Sequence, residues 1–216
     1  MTHEHGSSSG GCRENAFEVS YGLACEQLAK IGDLQQQCLR SSARYVGPND
    51  IAVDYLNQSY RITIPDCKIL LEESSTEAPL KDKILILHYF TGAKGTPATN
   101  KLIAYKQLPG GVSYFQAFSQ RAITPLVKNF GKSPELLMKT AANLGGHDAG
   151  HGDVSVTVSA FPRVPITLVL WRGDEEVAPN GNILFDANIS DYLSTEDVTV
   201  LCETIIWKLV RSIPSA

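Results

Sequence analysis

Apolar and polar residues alternate in two segments of the chain, and both segments predict half-buried strands. Residues 154–160, VSVTVSA, place an apolar side chain at every second position, and residues 60–64, YRITI, repeat this period with larger side chains. Successive side chains of a strand point to opposite faces of a sheet, so a period of two indicates one buried face. Residues 166–171, ITLVLW, are apolar throughout and predict a strand covered on both faces.

A helical period is clearest near the C-terminus. Ser194 is a predicted N-cap, Asp197 completes a capping box three residues later, and Leu193 is placed to contact Val198. The buried stripe of this helix is predicted to contain Val198, Leu201, Cys202, Ile205, Leu209 and Val210. Further helices are predicted over residues 13–45 with a break at Gly32-Asp33, over 112–130 with a kink at Pro125, and from Ser133 to Gly145-Gly146.

The remaining pattern decides the fold class. Residues 84–90, ILILHYF, fit a helix or a buried strand, and the length of the segment favours a helix. Short strands are predicted at 51–56, 68–71 and 101–107, and another between the acidic turn Asp174-Glu175-Glu176 and the last helix. Helices mixed with hairpins predict an α+β fold, a mostly antiparallel sheet packed against several helices, in a single domain over residues 13–216. Residues 1–12 are predicted to be a disordered tail.

Composition excludes some classes of function. The net charge of −4 argues against nucleic-acid binding, which uses basic surfaces. The chain shows no apolar run of roughly 18 residues to span a membrane, and its first residues lack the apolar core of a secretory signal. Five cysteines without C-x-x-C spacing predict reduced core thiols in a cytoplasmic protein.

Charge is segregated along the chain. Residues 94–139 carry seven basic side chains against one acid, Glu135, whereas seven carboxylates lie between Arg172 and Asp197. The basic segment contains a glycine turn, Gly110-Gly111, which opens a helix whose free N–H groups suit an anion. The alternative is a tight structural turn above a core aromatic face. The candidate ligand-binding residues are Lys106, Gly110, Gly111, Tyr114, Arg121 and Trp171.

Metal binding is a second hypothesis. Asp186 and Asp191 are the acids of the C-terminal cluster with no evident structural role, and carboxylates suit divalent cations or acid–base chemistry. His147 and His151 lie in a glycine-rich loop and add nitrogen ligands, although a flexible polar loop is the favoured explanation for them. The segment 92–97, GAKGTP, lacks the spacing of a phosphate-binding P-loop and is interpreted as a loop.

Four motifs appear in a fixed order within residues 108–131 and 164–197: LPGG, F-x-x-R, LW-x-GDEE and LFD-x-x-I-x-x-YL-x-TED. Together they resemble an uncharacterised family of anaerobic bacteria and archaea, the domain of unknown function 3786, over roughly residues 15–213. Relatives often show Phe-Pro-Pro after GDEE, where this chain has Val177-Ala178-Pro179. Some relatives carry an added iron–sulfur segment, for which this chain has no cysteine cluster. The resemblance implies a cytoplasmic protein of an anaerobe.

Three functions follow from these patterns. The first is an accessory or binding module for a small anionic ligand, a cofactor or a protein partner of anaerobic redox metabolism, through the Gly110-Gly111 turn with Lys106 and Arg121. The second is a metal-dependent enzyme that uses Asp186 and Asp191. The third is a structural subunit that contacts another protein. The residues name no cofactor and decide neither the ligand nor whether a reaction is catalysed.

Overall fold

Two antiparallel sheets form the framework. The computed structural model describes residues 9–214, with side chains from residue 15. The first sheet is a meander in chain order: β1 Arg44–Gly47, β2 Asp50–Tyr55, β3 Gln58–Thr63 and β4 Lys68–Leu71. The second has the order β5-β9-β8-β7-β6: β5 Leu102–Ala104, β6 His147–Asp148, β7 Val154–Phe161, β8 Val164–Trp171 and β9 Asn180–Asp186. The predicted α+β fold is thereby confirmed, with two antiparallel sheets in one domain.

Seven α-helical segments accompany the sheets in the described chain: α1 Ser9–Ala29, α2 Leu34–Ser41, α3 Leu80–Gly92, α4 Gly111–Phe118, α5 Thr124–Phe130, α6 Glu135–Ala141 and α7 Thr195–Arg211. The ambiguous segment 84–90 is helical, as its length favoured. The predicted tail falls largely on residues 1–8, outside the described residues, and α1 already begins at Ser9. In the described part of the chain, no helix is long and apolar enough to cross a membrane.

The predicted strands are confirmed to within two or three residues, with one exception. Residues 105–107 form a 3₁₀ turn, so the strand predicted over 101–107 is reduced to β5. The edge strands β1 and β6 were not predicted, because they are short and lack alternation of apolar residues. β8 is buried from Ile166 to Leu170, which confirms that both of its faces are covered.

The predicted kink at Pro125 takes the form of a π-helical turn. Residues 119–123 form this turn between α4 and α5. Proline has no N–H and its ring crowds the carbonyl four residues earlier, which here belongs to Arg121. The wider turn accommodates this missing hydrogen bond, so the chain continues as a helix rather than ending.

One continuous core joins the two sheets and the helices. Tyr89 of α3 stacks on Phe161 of β7, with ring centroids 4.1 Å apart and an angle of 8° between the planes. Leu56, at the tip of the β2–β3 hairpin, donates its backbone N–H to Ala160 of β7 at 3.0 Å. The two sheets therefore belong to one folding unit.

The prediction of reduced thiols is wrong for Cys25 and Cys67. These residues form a disulfide between α1 and the β3–β4 turn, with Cα atoms 5.9 Å apart. They are 42 positions apart in the sequence, and spacing rules that depend on nearby cysteines give no sign of such a pair. Cys38 and Cys202 are buried free thiols, as predicted. The side chain of Cys12 lies outside the described residues.

Helices α3 and α7 run antiparallel across the surface. Lys81 and Asp82 in the first turn of α3 face Glu203 and Lys208 in the second half of α7. The last turns of α3 lie beside the first turn of α7. Helix α1 packs along α3, so α3 forms the floor of a trough between α1 and α7.

Candidate functional site

The predicted glycine turn at Gly110-Gly111 packs against neighbouring protein backbone and side chains. Gly110 has φ +71°, in the left-handed region that glycine adopts without strain. A Cβ on Gly111 would lie 2.0 Å from the carbonyl oxygen of Tyr105, so the chain packs tightly against the preceding turn. The carbonyl of Pro109 accepts a hydrogen bond from Thr195 Oγ1 at 2.7 Å, which ties the turn to the start of α7. The closeness of Gly111 to protein backbone accounts for its lack of a side chain.

The other predicted ligand residues are spread apart. Lys106 Nζ lies 4.2 Å from the ring centroid of Phe115, and Arg121 donates to Glu203 of α7 at 2.8 Å. Ten residues of largely helical chain, about 15 Å, separate Gly111 from Arg121. Tyr114 is 64% exposed. Trp171 lies at the end of β8, opposite Asn180 of β9, in another part of the molecule.

Asp186 organises a loop. Its carboxylate is nearly buried and accepts hydrogen bonds from the backbone N–H groups of Thr99, Asn100 and Asn188 and from Thr99 Oγ1, at 2.8–3.1 Å. Burial alone would raise the pKa of Asp186, but these hydrogen bonds outweigh burial and hold the pKa below its ordinary value. The carboxylate oxygens therefore fix the chain at residues 99–100.

Asp191 holds the adjoining part of the same loop. It accepts from Lys94 Nζ at 2.9 Å and from Thr96 Oγ1 at 2.8 Å, and these two bonds lower the pKa of Asp191. Residues 93–97 form a loop, as interpreted, while Gly92 still belongs to α3, and the loop is tied to Asp191.

The histidines of the predicted metal set lie elsewhere. His147 belongs to β6, at the sheet edge three strands away from the β9 strand of Asp186. Adjacent strands are about 4.8 Å apart, so the two strands are separated by about 14 Å. His151 follows in the exposed loop after β6. Within residues 15–214, the structure forms no group of three His, Cys, Asp or Glu side chains that could hold a metal ion.

A cluster of basic side chains lines one end of the trough between α1 and α7. We call this cavity of about 520 Å³ the basic groove. It is lined by Phe17, Pro79, Leu80, Lys81, Asp82, Glu203, Thr204, Trp207, Lys208 and Arg211. Side chains four positions apart on a helix share a face. For this reason one face of α7, formed by residues 203, 204, 207, 208 and 211, lines the groove, and the buried apolar stripe of the helix lies on the opposite face.

Asp82 fixes the floor of the basic groove. Its side chain is only 5% exposed; it accepts from Tyr55 Oη at 3.1 Å, and Lys208 Nζ lies 3.5 Å away. A buried carboxylate without such partners would be strongly destabilising. Burial, reinforced by the charge of Asp82, raises the pKa of Tyr55 well above its ordinary value, so Tyr55 remains a hydrogen-bond donor. Lys208 is thus held at a defined position in the groove wall.

The basic groove carries more positive than negative charge. Glu203 accepts from Arg121 at 2.8 Å, with Lys81 Nζ farther away at 3.9 Å. Asp82 is balanced by Lys208. Among the described side chains, no carboxylate forms an ion pair with Arg211. After these pairings Lys81 and Arg211 remain as surplus charge, in a protein whose net charge is −4.

An exposed aromatic ring completes the basic groove. Trp207 is 43% exposed, although its neighbours on the opposite face of α7 are fully buried. Across the groove, Lys81 Nζ lies 5.3 Å from the ring centroid of Phe17, a cation–π contact. The groove therefore offers cations beside a partly exposed indole ring.

The sequence contained part of the signal for this groove. Lys208 and Arg211 lie within the predicted C-terminal helix, and Lys81-Asp82 come shortly before the apolar segment 84–90. These two segments are more than 120 positions apart in the chain. Charge counts along the sequence pointed to residues 94–139, of which only Arg121 reaches the groove, where it neutralises Glu203.

Comparisons with known proteins identify a family of unknown function. Residues 33–208 match the family model described as Domain of unknown function (DUF3786). No curated protein matches the chain. No solved structure matches it either.

Proposed function

The chain belongs to the family of the domain of unknown function 3786, and we propose that it is a binding module that holds a small anionic ligand in the basic groove. The observation that carries this proposal is the surplus charge of Lys81 and Arg211 beside the exposed ring of Trp207. Exposed tryptophan on a soluble surface is uncommon, and together with arginine it is typical of binding sites.

Electrostatics supports an anion in particular. A guanidinium group binds carboxylate and phosphate oxygens through two parallel hydrogen bonds, and a concave surface of one sign concentrates ligands of the opposite sign. Lys208 is already fixed by Asp82. Its ordering therefore costs a ligand little conformational entropy, which favours affinity.

The basic groove replaces the Gly110-Gly111 turn as the candidate anion site. The sequence hypothesis placed the ligand at the Gly110-Gly111 turn, where Gly111 packs against protein backbone and Arg121 is paired with Glu203. The carboxylates of the metal hypothesis accept hydrogen bonds that shape a loop. We therefore give neither segment a ligand role.

Setting and location remain part of the proposal. The resemblance to a family of anaerobes supports a cytoplasmic protein that serves anaerobic redox metabolism. Disulfides are rare in the cytosol, so the Cys25–Cys67 bond provides the test. Thiol titration of protein taken anaerobically from its host shows whether the Cys25–Cys67 pair is reduced, as a cytoplasmic location predicts, or oxidised.

Calorimetric titration with inorganic pyrophosphate tests the anion site. The double variant Lys81→Gln/Arg211→Gln is expected to weaken binding at least about tenfold, which corresponds to about 1.4 kcal/mol. Lys208 is left intact because its removal would strand the buried Asp82. Lys128→Gln/Lys132→Gln, which removes the same charge from exposed positions outside the groove, serves as the control. Equal loss in both double variants would reduce the effect to net charge and refute the proposal.

A further inference from the structure

The basic groove adjoins a second cavity of about 430 Å³. Lys208 and Arg211 line both cavities, so these two side chains stand between them. The second cavity is otherwise lined mainly by polar residues, with carboxamides prominent: Leu56, Asn57, Gln58, Glu73, Asn143, Leu144 and Ser212. The cations therefore lie in the middle of a longer surface rather than at its end.

A third cavity, of about 690 Å³, adjoins the second and shares Asn57, Gln58, Glu73 and Leu144 with it. It adds Asp54, Ser59 and Glu72, so the surface ends in hydroxyl and carboxylate groups. Along its length, the chemistry changes from aromatic to cationic and then to neutral and acidic hydrogen-bonding groups.

Asn57 is positioned by the hairpin itself. The β2–β3 connection has two residues, and both Leu56 (φ 48°) and Asn57 (φ 63°) are left-handed. Such two-residue turns match the twist of the strands and favour Asn at a left-handed position. The bond from Leu56 N–H to Ala160 anchors the turn on the second sheet, which holds the carboxamide at the cavity wall.

We propose that this surface recognises a nucleotide sugar, with the base on Trp207, the phosphates at Lys81, Lys208 and Arg211, and the sugar among Asn57, Gln58, Asn143 and Glu73. The inference rests on the proposed anion site and deepens it. Each cavity is within the size range of small-molecule sites.

Each part of such a ligand meets matching chemistry. A planar base stacks on an exposed indole, whatever its hydrogen-bonding edge. Phosphate oxygens are held by guanidinium and ammonium groups. A sugar hydroxyl both donates and accepts, and a carboxamide offers both functions while a carboxylate accepts.

The acidic end of the surface narrows the choice of ligand. Glu72 at this end is paired with Arg44 and Arg61, whereas Glu73 is exposed and Asp54 lies beyond it, both without an ion pair among the described residues. A nucleic-acid strand that continued past Lys208 and Arg211 would bring further phosphates against these carboxylates, and like charges repel. A neutral sugar avoids that repulsion, so the order of charges favours a nucleotide that ends in a sugar.

Calorimetric titration with inorganic pyrophosphate, ADP, ADP-ribose and a short oligoadenylate tests the inference. ADP is expected to bind at least about tenfold more tightly than pyrophosphate because of stacking, and ADP-ribose more tightly than ADP. Trp207→Ala is expected to remove the advantage of ADP over pyrophosphate. Trp171→Ala, at the other tryptophan of the chain, is the matched control, since Trp171 is similarly exposed.

Variants of the sugar end complete the test. Asn143→Ala and Asn57→Gly, the latter chosen because glycine keeps the left-handed turn, are expected to weaken ADP-ribose while leaving ADP unchanged. Equal affinity for pyrophosphate, ADP and ADP-ribose would overturn the nucleotide-sugar inference and leave the anion site standing. Tighter binding of the oligoadenylate than of ADP-ribose would also overturn it. Failure of all four ligands to bind would instead refute the proposed anion site.

Discussion

His88 Nδ1 lies 2.7 Å from Oδ1 of Asp197, and this contact joins the last turns of α3 to the first turn of α7. Asp197 also accepts from Ser194 Oγ at 2.6 Å, within the predicted capping box. One carboxylate therefore caps a helix and fixes a histidine. His88, within the apolar segment 84–90, is therefore a half-buried, hydrogen-bonded group.

The His88–Asp197 pair makes stability depend on pH. The hydrogen bond to Asp197 raises the pKa of His88 above 6.5 despite burial. Burial would raise the pKa of Asp197, but the hydrogen bonds from His88 and Ser194, together with the charge of His88, outweigh burial and hold that pKa below 3.8. The contribution of His88 is full below pH 6.5 and is lost as pH rises through its folded pKa; that of Asp197 is full above pH 3.8 and is lost as pH falls through its folded pKa.

Two measurements check this dependence. The free energy of unfolding in urea is expected to gain a His88 contribution at pH 5.5 that is lost at pH 8.5. The variant His88→Gln is expected to diminish this difference between the two pH values, and His151→Gln, at an exposed position, to leave it intact. By NMR titration, Asp197→Asn is expected to return the pKa of His88 toward 6.5. A pKa of His88 that does not respond to Asp197→Asn would show that the contact does not carry the shift.

Lys208 and Asp82 are expected to be strongly coupled. Lys208→Met leaves a nearly buried carboxylate with Tyr55 as its remaining partner and is expected to cost about 3–5 kcal/mol of unfolding free energy. Lys208→Met/Asp82→Asn is expected to recover much of that loss, because the uncompensated charge is gone. Chemical denaturation of both single variants and the double variant gives the coupling energy, and additive losses would contradict the assignment.

The two glycines of the turn are expected to differ in kind. Gly110→Ala places a side chain at φ +71° and is expected to cost about 1–2 kcal/mol through backbone strain. Gly111→Ala is expected to cost more, because its Cβ would lie 2.0 Å from the Tyr105 carbonyl and the backbone must move. Thermal unfolding ranks the two variants. A milder effect at Gly111 than at Gly110 would show that the turn has room at this position.

The disulfide is expected to stabilise the fold. Cys25 and Cys67 are 42 positions apart, and closing such a loop restricts the unfolded chain by about 4 kcal/mol in the entropy model, with about 2–4 kcal/mol typical in practice. The free energies of unfolding with and without reductant should differ by this amount in the wild type. The variant Cys25→Ser/Cys67→Ser should already have the lower stability and not respond to reductant. A wild type that is equally stable in reductant would contradict this role.

Features decided by neighbours in sequence were predictable. The capping box at Ser194 and Asp197 operates within one helical turn, and the alternation over 154–160 directly reports the faces of β7. Their physics is local, and the structure agrees with them. The distortion of the helix near Pro125 was predictable for the same reason, whereas its form, a π-helical turn, was not.

Features decided by distant partners were not predictable. Asp186 looked available because its partners at 99 and 100 lie 86 or 87 positions earlier and are mostly backbone groups, which any residue can supply. Lys208 looked like an ordinary surface charge because Asp82 is far away in sequence. Charge along the chain reports composition, whereas a site depends on which charges remain after pairing.

The antiparallel packing of α3 and α7 places different evolutionary constraints on the residues of the basic groove. Lys208 balances a buried acid, so a relative that has lost the ligand must still retain this pair or replace both members together. Trp207 and Arg211 do not balance a buried charge, so their positions are expected to vary in relatives that no longer bind the ligand. Across the family, co-variation of positions 82 and 208 would therefore trace folding, and joint retention of 207 and 211 would mark the lineages that still bind.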